Sequence, residues 1–198
     1  GQAFEYEAKG DKVLVLYLPE CHESIAGITR LEPSHRKDYL RSGINLIQAN
    51  INNIQINEAK EVIPMIDIQY TIETEQYGNK TGNRLFIPAN IFRKGFTTPD
   101  LKQRVQDIHI NYGYLDTDSI CLQIPEGYTI ESLPKTCQVT SSFGSFSSSL
   151  MIKDKEICII HRLLMHRGIY PKEIYKDFLE FRKQIAAQYS SKIILKKE

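Results

Sequence analysis

Tryptophan is absent, alanine is scarce and neither sign of charge dominates. The 198 residues hold 8 alanines, 25 Lys+Arg and 24 Asp+Glu, for a formal net charge of +1. Near-neutrality removes the basic excess through which proteins grip nucleic-acid phosphates. The only basic cluster, Lys192 to Lys197, reads as a solvated tail. No apolar run approaches the ~18 residues that a helix needs to cross a bilayer. The longest, Val13 to Leu18, has the length of one buried strand. The phosphate-cradling G-x-x-x-x-G-K, the dinucleotide G-x-G-x-x-G, the nucleophile elbow G-x-S-x-G and the zinc-protease H-E-x-x-H are all missing. An initiator Met and a signal peptide are missing too, since the chain opens Gly1-Gln2.

Cysteine is sparse. Cys21, Cys121, Cys137 and Cys158 form no C-x-x-C pair, which excludes a zinc ribbon or a thioredoxin-like dithiol. They read as isolated small hydrophobes packed in or beside strands. The competing reading is one bridge among Cys121, Cys137 and Cys158, and spacing alone does not choose the pairing.

What is present is a strand composition: 27 isoleucines, 11 tyrosines and 8 phenylalanines. β-Branched and aromatic side chains fit a pleated surface, whereas alanine, the best helix former, is rare. The apolar fraction of 41% and mean hydropathy of −0.33 belong to a folded chain rather than a disordered tail. A chain of this length buries roughly 70% of its unfolded surface and needs neither metal nor disulfide to hold a core.

Along the chain, residues 3–18 read as two strands around a Gly10-Asp11 turn, and Ile25 to Thr29 as a further short strand. Pro33 opens a helix through Arg41, with Gly43 just past its end. Ile44 to Ile56 is strand-like. Ile66, Ile68, Tyr70 and Ile72 alternate with polar residues, which predicts a half-buried strand. Tyr77 to Asn83 is a turn cluster, Leu85 to Ile87 a strand stopped by Pro88, and 89–103 a long loop. Ile108 to Tyr114 and Ile120 to Ile124 are expected to form a hairpin about an Asp116-Thr117-Asp118 turn. A strand from Tyr128 to Leu133 follows, then three more over 136–164. From Pro171 to about Tyr189, Ile174, Phe178, Phe181 and Ile185 recur on one face of a helix. Ile193 to Leu195 is a last strand.

Every candidate for chemistry has a plainer reading beside it. Cys21 and His22 are neighbours on extended chain and point to opposite faces, a poor geometry for a thiolate–imidazolium couple. His35, His109, His161 and His166 lack metal spacing. Tyr70, Tyr112, Tyr114 and Tyr128 suit a sugar platform, but strand tyrosines more often pack in cores or across strands. No catalytic, cofactor-binding or metal-binding residue is assigned.

Several segments together resemble a known family. They are RLFIPAN from Arg84, RVQDIHINYGY from Arg104, IPEGYTIESLPK from Ile124, SFGSF from Ser142, GIYPKEIYKDF from Gly168 and KIILKK from Lys192. The pattern resembles the C-terminal β-rich domain, of unknown function, of exported bacterial transglutaminase-like proteins. It covers about 62–198. In that family the Cys-His-Asp machinery lies in a central domain, and nothing here matches it residue by residue. The resemblance implies a non-catalytic accessory module, periplasmic or secreted, whose partner is the upstream catalytic domain of the same polypeptide. The alternative is a stand-alone glycan- or peptide-binding module; no cofactor is implied. The expected fold is mainly β, an antiparallel β-sandwich over 1–198 with one C-terminal amphipathic helix and a short helix in the N-terminal half. A sub-boundary is possible near 58–63.

Overall fold

The computed structural model describes residues 2–4, 12–13, 28–46, 48–59, 65–74, 77–92 and 104–198. These residues are mainly β, as the composition predicts. In chain order the elements are β1 (Gln2–Phe4), β2 (Lys12–Val13), α1 (Pro33–Ser42), β3 (Asn50–Ala59), β4 (Met65–Glu73), β5 (Asn79–Thr81), β6 (Arg84–Pro88) and β7 (Ile108–Ile110). They continue with β8 (Tyr114–Gln123), β9 (Tyr128–Ser132), β10 (Cys137–Ser141), β11 (Gly144–Lys153), β12 (Glu156–Met165), β13 (Gly168–Tyr170), α2 (Tyr175–Tyr189) and β14 (Lys192–Lys197).

The strands form a five-stranded sheet of order β1-β8-β12-β11-β10, a four-stranded sheet β5-β6-β14-β9, a three-stranded sheet β2-β4-β3, and the pair β13-β7. All pairings are antiparallel except β1 with β8. The long central strands follow from period-2 burial. On β12, Ile157, Ile159, His161, Leu163 and Met165 all point inward. On β4, Ile68, Tyr70 and Ile72 are buried between half-exposed Gln69, Thr71 and Glu73.

The inward face of the five-stranded sheet meets three neighbours along its length. Near one end Phe146, Leu163 and Met165 pack under Leu179, Phe181 and Ile185 of α2. At the other, Leu122, Ile157 and Ile159 pack on Ile87, Ile193 and Leu195 of the four-stranded sheet. Ile120 joins the core built by Ile51, Ile68 and Ile72 of the three-stranded sheet.

Several expectations need correction. Asp116-Thr117-Asp118 is not a turn but the middle of β8, a continuous ten-residue strand. The chain breaks instead at Asn111 to Gly113, and β7 pairs with β13, not with β8. Asp118 is tolerated inside a strand because its carboxylate has a buried donor, described below. The first two strands are not a hairpin either: β1 joins β8 and β2 joins β4, in different sheets. Of the expected strand at Ile25 to Thr29, the described part belongs to a 3-10 turn, Ile28–Arg30, that buries Ile28. Asn79–Thr81, read as turn, forms a short strand on β6.

The reading of the cysteines as unbridged is also overturned for two of them. Cys121 and Cys158 face each other directly across β8 and β12, with Cα atoms 4.0 Å apart, and form a disulfide. Cys137 is a free thiol. Cys21 and His22, residues 60–63 of the expected sub-boundary, and 93–103 of the expected loop lie outside the described residues.

Candidate functional site

The side chains with most chemical capacity lie in one row across the five-stranded sheet. In the ladder registers, Asp118 of β8 opposes His161 of β12, His161 opposes Ser148 of β11, and Ser148 opposes Cys137 of β10. Residues directly opposite share a face, so the four side chains stand on the inward side of four adjacent strands. Three of the four are sealed, His161 at 0% exposed, Asp118 at 1% and Ser148 at 5%, while Cys137 is half-buried.

The lid is the C-terminal turn of α2. The Tyr189 hydroxyl donates to Asp118 Oδ2 at 2.9 Å, and the Tyr189 ring lies 4.7 Å from the imidazole of His161. Phe146 closes the other side, its ring 5.7 Å from His161 and 5.9 Å from Tyr189. Burial pushes the Tyr189 hydroxyl far above the ordinary tyrosine range, and the charges of Asp118 and Asp116 push it the same way. The phenol therefore stays protonated and keeps donating. Burial lowers the Arg182 guanidinium, against the pull of Tyr114. Burial also raises the Cys137 thiol, partly offset by a backbone hydrogen bond from Ser148.

Asp, His and Ser in one row are the residue types of acyl-transfer catalysis, but such a triad works only where its nucleophile meets substrate. Here the nucleophile end, Ser148, is only 5% exposed and closed to substrate. The row fits a structural role: the Tyr189–Asp118 hydrogen bond and the packing of the His161 ring against Phe146 and Tyr189 fix how α2 seats on the sheet. The sequence held a signal for it: one polar residue in a period-2 apolar face. His161 sits between Ile159 and Leu163, Asp118 is followed two residues on by Ile120, and Ser148 lies between Phe146 and Leu150. Their registration side by side has no local signal, because it depends on strand pairing.

The other residues weighed for function are scattered. His35 is exposed on α1, His109 is exposed on β7 opposite Ile169, and His166 is exposed just after β12. The four tyrosines form no platform. Tyr70 is buried with the three-stranded sheet, and Tyr128 packs partly into the core under the four-stranded sheet. Tyr112 is exposed before β8, and Tyr114 opposes Met165 at the start of that strand.

The outward face of the five-stranded sheet is different in character. Thr117 and Ser119 of β8, Ser145, Ser147 and Ser149 of β11 and Thr140 of β10 place six hydroxyls on it, half-buried or exposed. Near Tyr112, Leu115 and Leu164 are exposed and directly paired, while a Cβ on Gly113 would touch the Met165 and Arg167 backbone. That end of the sheet therefore carries an apolar edge.

Residues 83–195, more than half of the chain, match the model of a family described as a domain of unknown function with a solved structure, DUF3858. The chain belongs to that family. No curated protein and no solved structure matches it.

Proposed function

We propose that this chain is a non-catalytic C-terminal accessory module of an exported bacterial transglutaminase- or protease-like protein, packing on or assisting its catalytic domain. Membership of the DUF3858 family over 83–195 supports a module of that kind. The observation that carries the reading is the burial of Asp118, His161 and Ser148, with Tyr189 lying against Asp118 and His161. The residue types of acyl transfer are assembled where substrate does not reach, so the chemistry is sought in a neighbouring domain. The exposed Tyr112, Leu115 and Leu164 suit a surface that another domain covers.

The test is the whole open reading frame. It should encode a Cys-His-Asp domain upstream of Gly1. Hydroxyl-radical footprinting should then find Leu115 and Leu164 protected in the full-length protein relative to this chain alone. Absence of such a domain, or equal labelling, overturns the proposal.

A second reading, a stand-alone glycan- or peptide-binding module, is favoured by the six-hydroxyl outward face. It predicts retention on a glycan or peptide array that Ser147→Trp abolishes while the melting temperature is kept. An array on which the wild-type chain shows no retention removes it.

A further inference from the structure

The disulfide belongs to a larger arrangement on the outward face of the five-stranded sheet. Two rungs of the β8–β12 ladder, successive on that face with the inward Leu122–Ile157 rung between them, carry four side chains: Cys121 opposite Cys158, and Gln123 opposite Glu156. Glu156 and Cys158 are two residues apart on one strand and so share a face. The Glu156 Oε2 atom lies 3.6 Å from Cys158 Sγ, and Oε1 accepts a hydrogen bond from Gln123 Nε2 at 3.1 Å. The ligating atoms of Cys121, Cys158 and Glu156 all fall within 4.8 Å of one another.

We propose that these three residues are a redox-gated site for a thiophilic divalent cation such as zinc. When oxidised, the sulfurs bond to each other and the site is closed. A dithiol reductant opens it: two electrons and two protons pass to the bridge, giving two thiols, and the reductant leaves as its own disulfide. Metal binding then releases both thiol protons to solvent. Tetrahedral zinc with Zn–S bonds of about 2.3 Å holds its sulfurs roughly 3.8 Å apart. Two cysteines on one rung reach that separation without backbone movement, because the ten-pair register of β8 with β12 keeps their Cα atoms in place. Glu156 supplies the third, oxygen ligand, and the hydrogen bond from Gln123 orients it, as partners beyond the ligands commonly do. Three protein ligands leave the fourth position to water. Cys137 takes no part, since its side chain stands on the opposite, inward face of the sheet.

The test uses the full chain with Cys21→Ser and Cys137→Ser, reduced by a phosphine, which takes up oxygen from water and does not chelate. Zinc is titrated against a chromogenic chelator, and cobalt(II) is used for its thiolate charge-transfer absorption. The expected result is one equivalent of metal in the reduced protein and none in the oxidised one. Affinity should fall at least tenfold for Glu156→Gln, about ten- to a hundredfold for Gln123→Ala, and to background for Cys121→Ser. If the double-serine background does not fold, the same comparison is made between the reduced native chain and its Cys121→Ser variant. The proposal is overturned by equal metal uptake with and without Cys121, by unchanged affinity in Glu156→Gln, or by loss of the strand circular-dichroism signal on reduction.

Discussion

Tyr189 brings a phenol into contact with a buried carboxylate, and that contact has a pH signature. Its folded pKa lies above the ordinary value of 10.0, so the folded state keeps the proton where the unfolded chain has lost it. The stability it contributes is complete below pH ~10 and declines above that, by about 1.4 kcal/mol per pH unit for one group. Tyr189→Phe removes that proton linkage. The variant should be less stable at neutral pH by about 1–3 kcal/mol, because Asp118 stays buried without its donor, and should show a flatter alkaline limb in urea titrations from pH 9 to 11. A parallel alkaline limb would mean that the hydroxyl is not held as described. The cysteines allow a second test at this scale. With Cys121 and Cys158 bridged, the denatured, unreduced chain should titrate at most two thiols. Replacing both by alanine should cost about 3–4 kcal/mol, the chain-entropy value for a separation of 37 residues.

α2 and the strands it covers form the next level. Its buried stripe runs through Tyr175, Leu179, Phe181, Ile185 and Tyr189, broader than periodicity alone predicts, with Ile174 and Phe178 on its flank. Ile185→Asp should destabilise by several kcal/mol, since it places an unpaired charge between helix and sheet. Lys183→Glu, on the exposed side, should leave the urea midpoint almost unchanged. The β11–β12 hairpin has its own weak point. Gly144 sits at φ +150°, and a Cβ there would run into the Leu164 carbonyl oxygen. Gly144→Ala should therefore cost about 2–4 kcal/mol, read from the same urea transition. Elements whose character is local were legible in the sequence: the alternation of β4, the strands β10 to β12, the helix opened by Pro171, and β14. Two kinds of feature were not. An aspartate mid-strand mimics a turn until its distant donor, Tyr189, is known. The Cys121–Cys158 bond and the Cys137–Ser148–His161–Asp118 row exist only once strand pairing sets the register.

At the scale of the whole molecule, the strand order separates sequence neighbours and joins distant segments. β14 sits between β6 and β9, pairing Leu195 with Leu85 on one side and Ile130 on the other. Arg84 and Glu131, on the two strands that flank β14, clasp across it with an Nε–Oε2 distance of 2.6 Å. A chain stopped before Lys192 should lose cooperative unfolding and precipitate, because two strand edges and the apolar Ile87 face would be left open; a soluble, two-state truncation would contradict the pairing. The same placement sets a clock on biosynthesis. Between Ser132 and Lys192 the ribosome must add about 60 residues, roughly 3–12 s at ordinary elongation rates. For that interval β6 and β9 have been made but lack their shared middle strand. A simple up-and-down order of the same strands would not open that window.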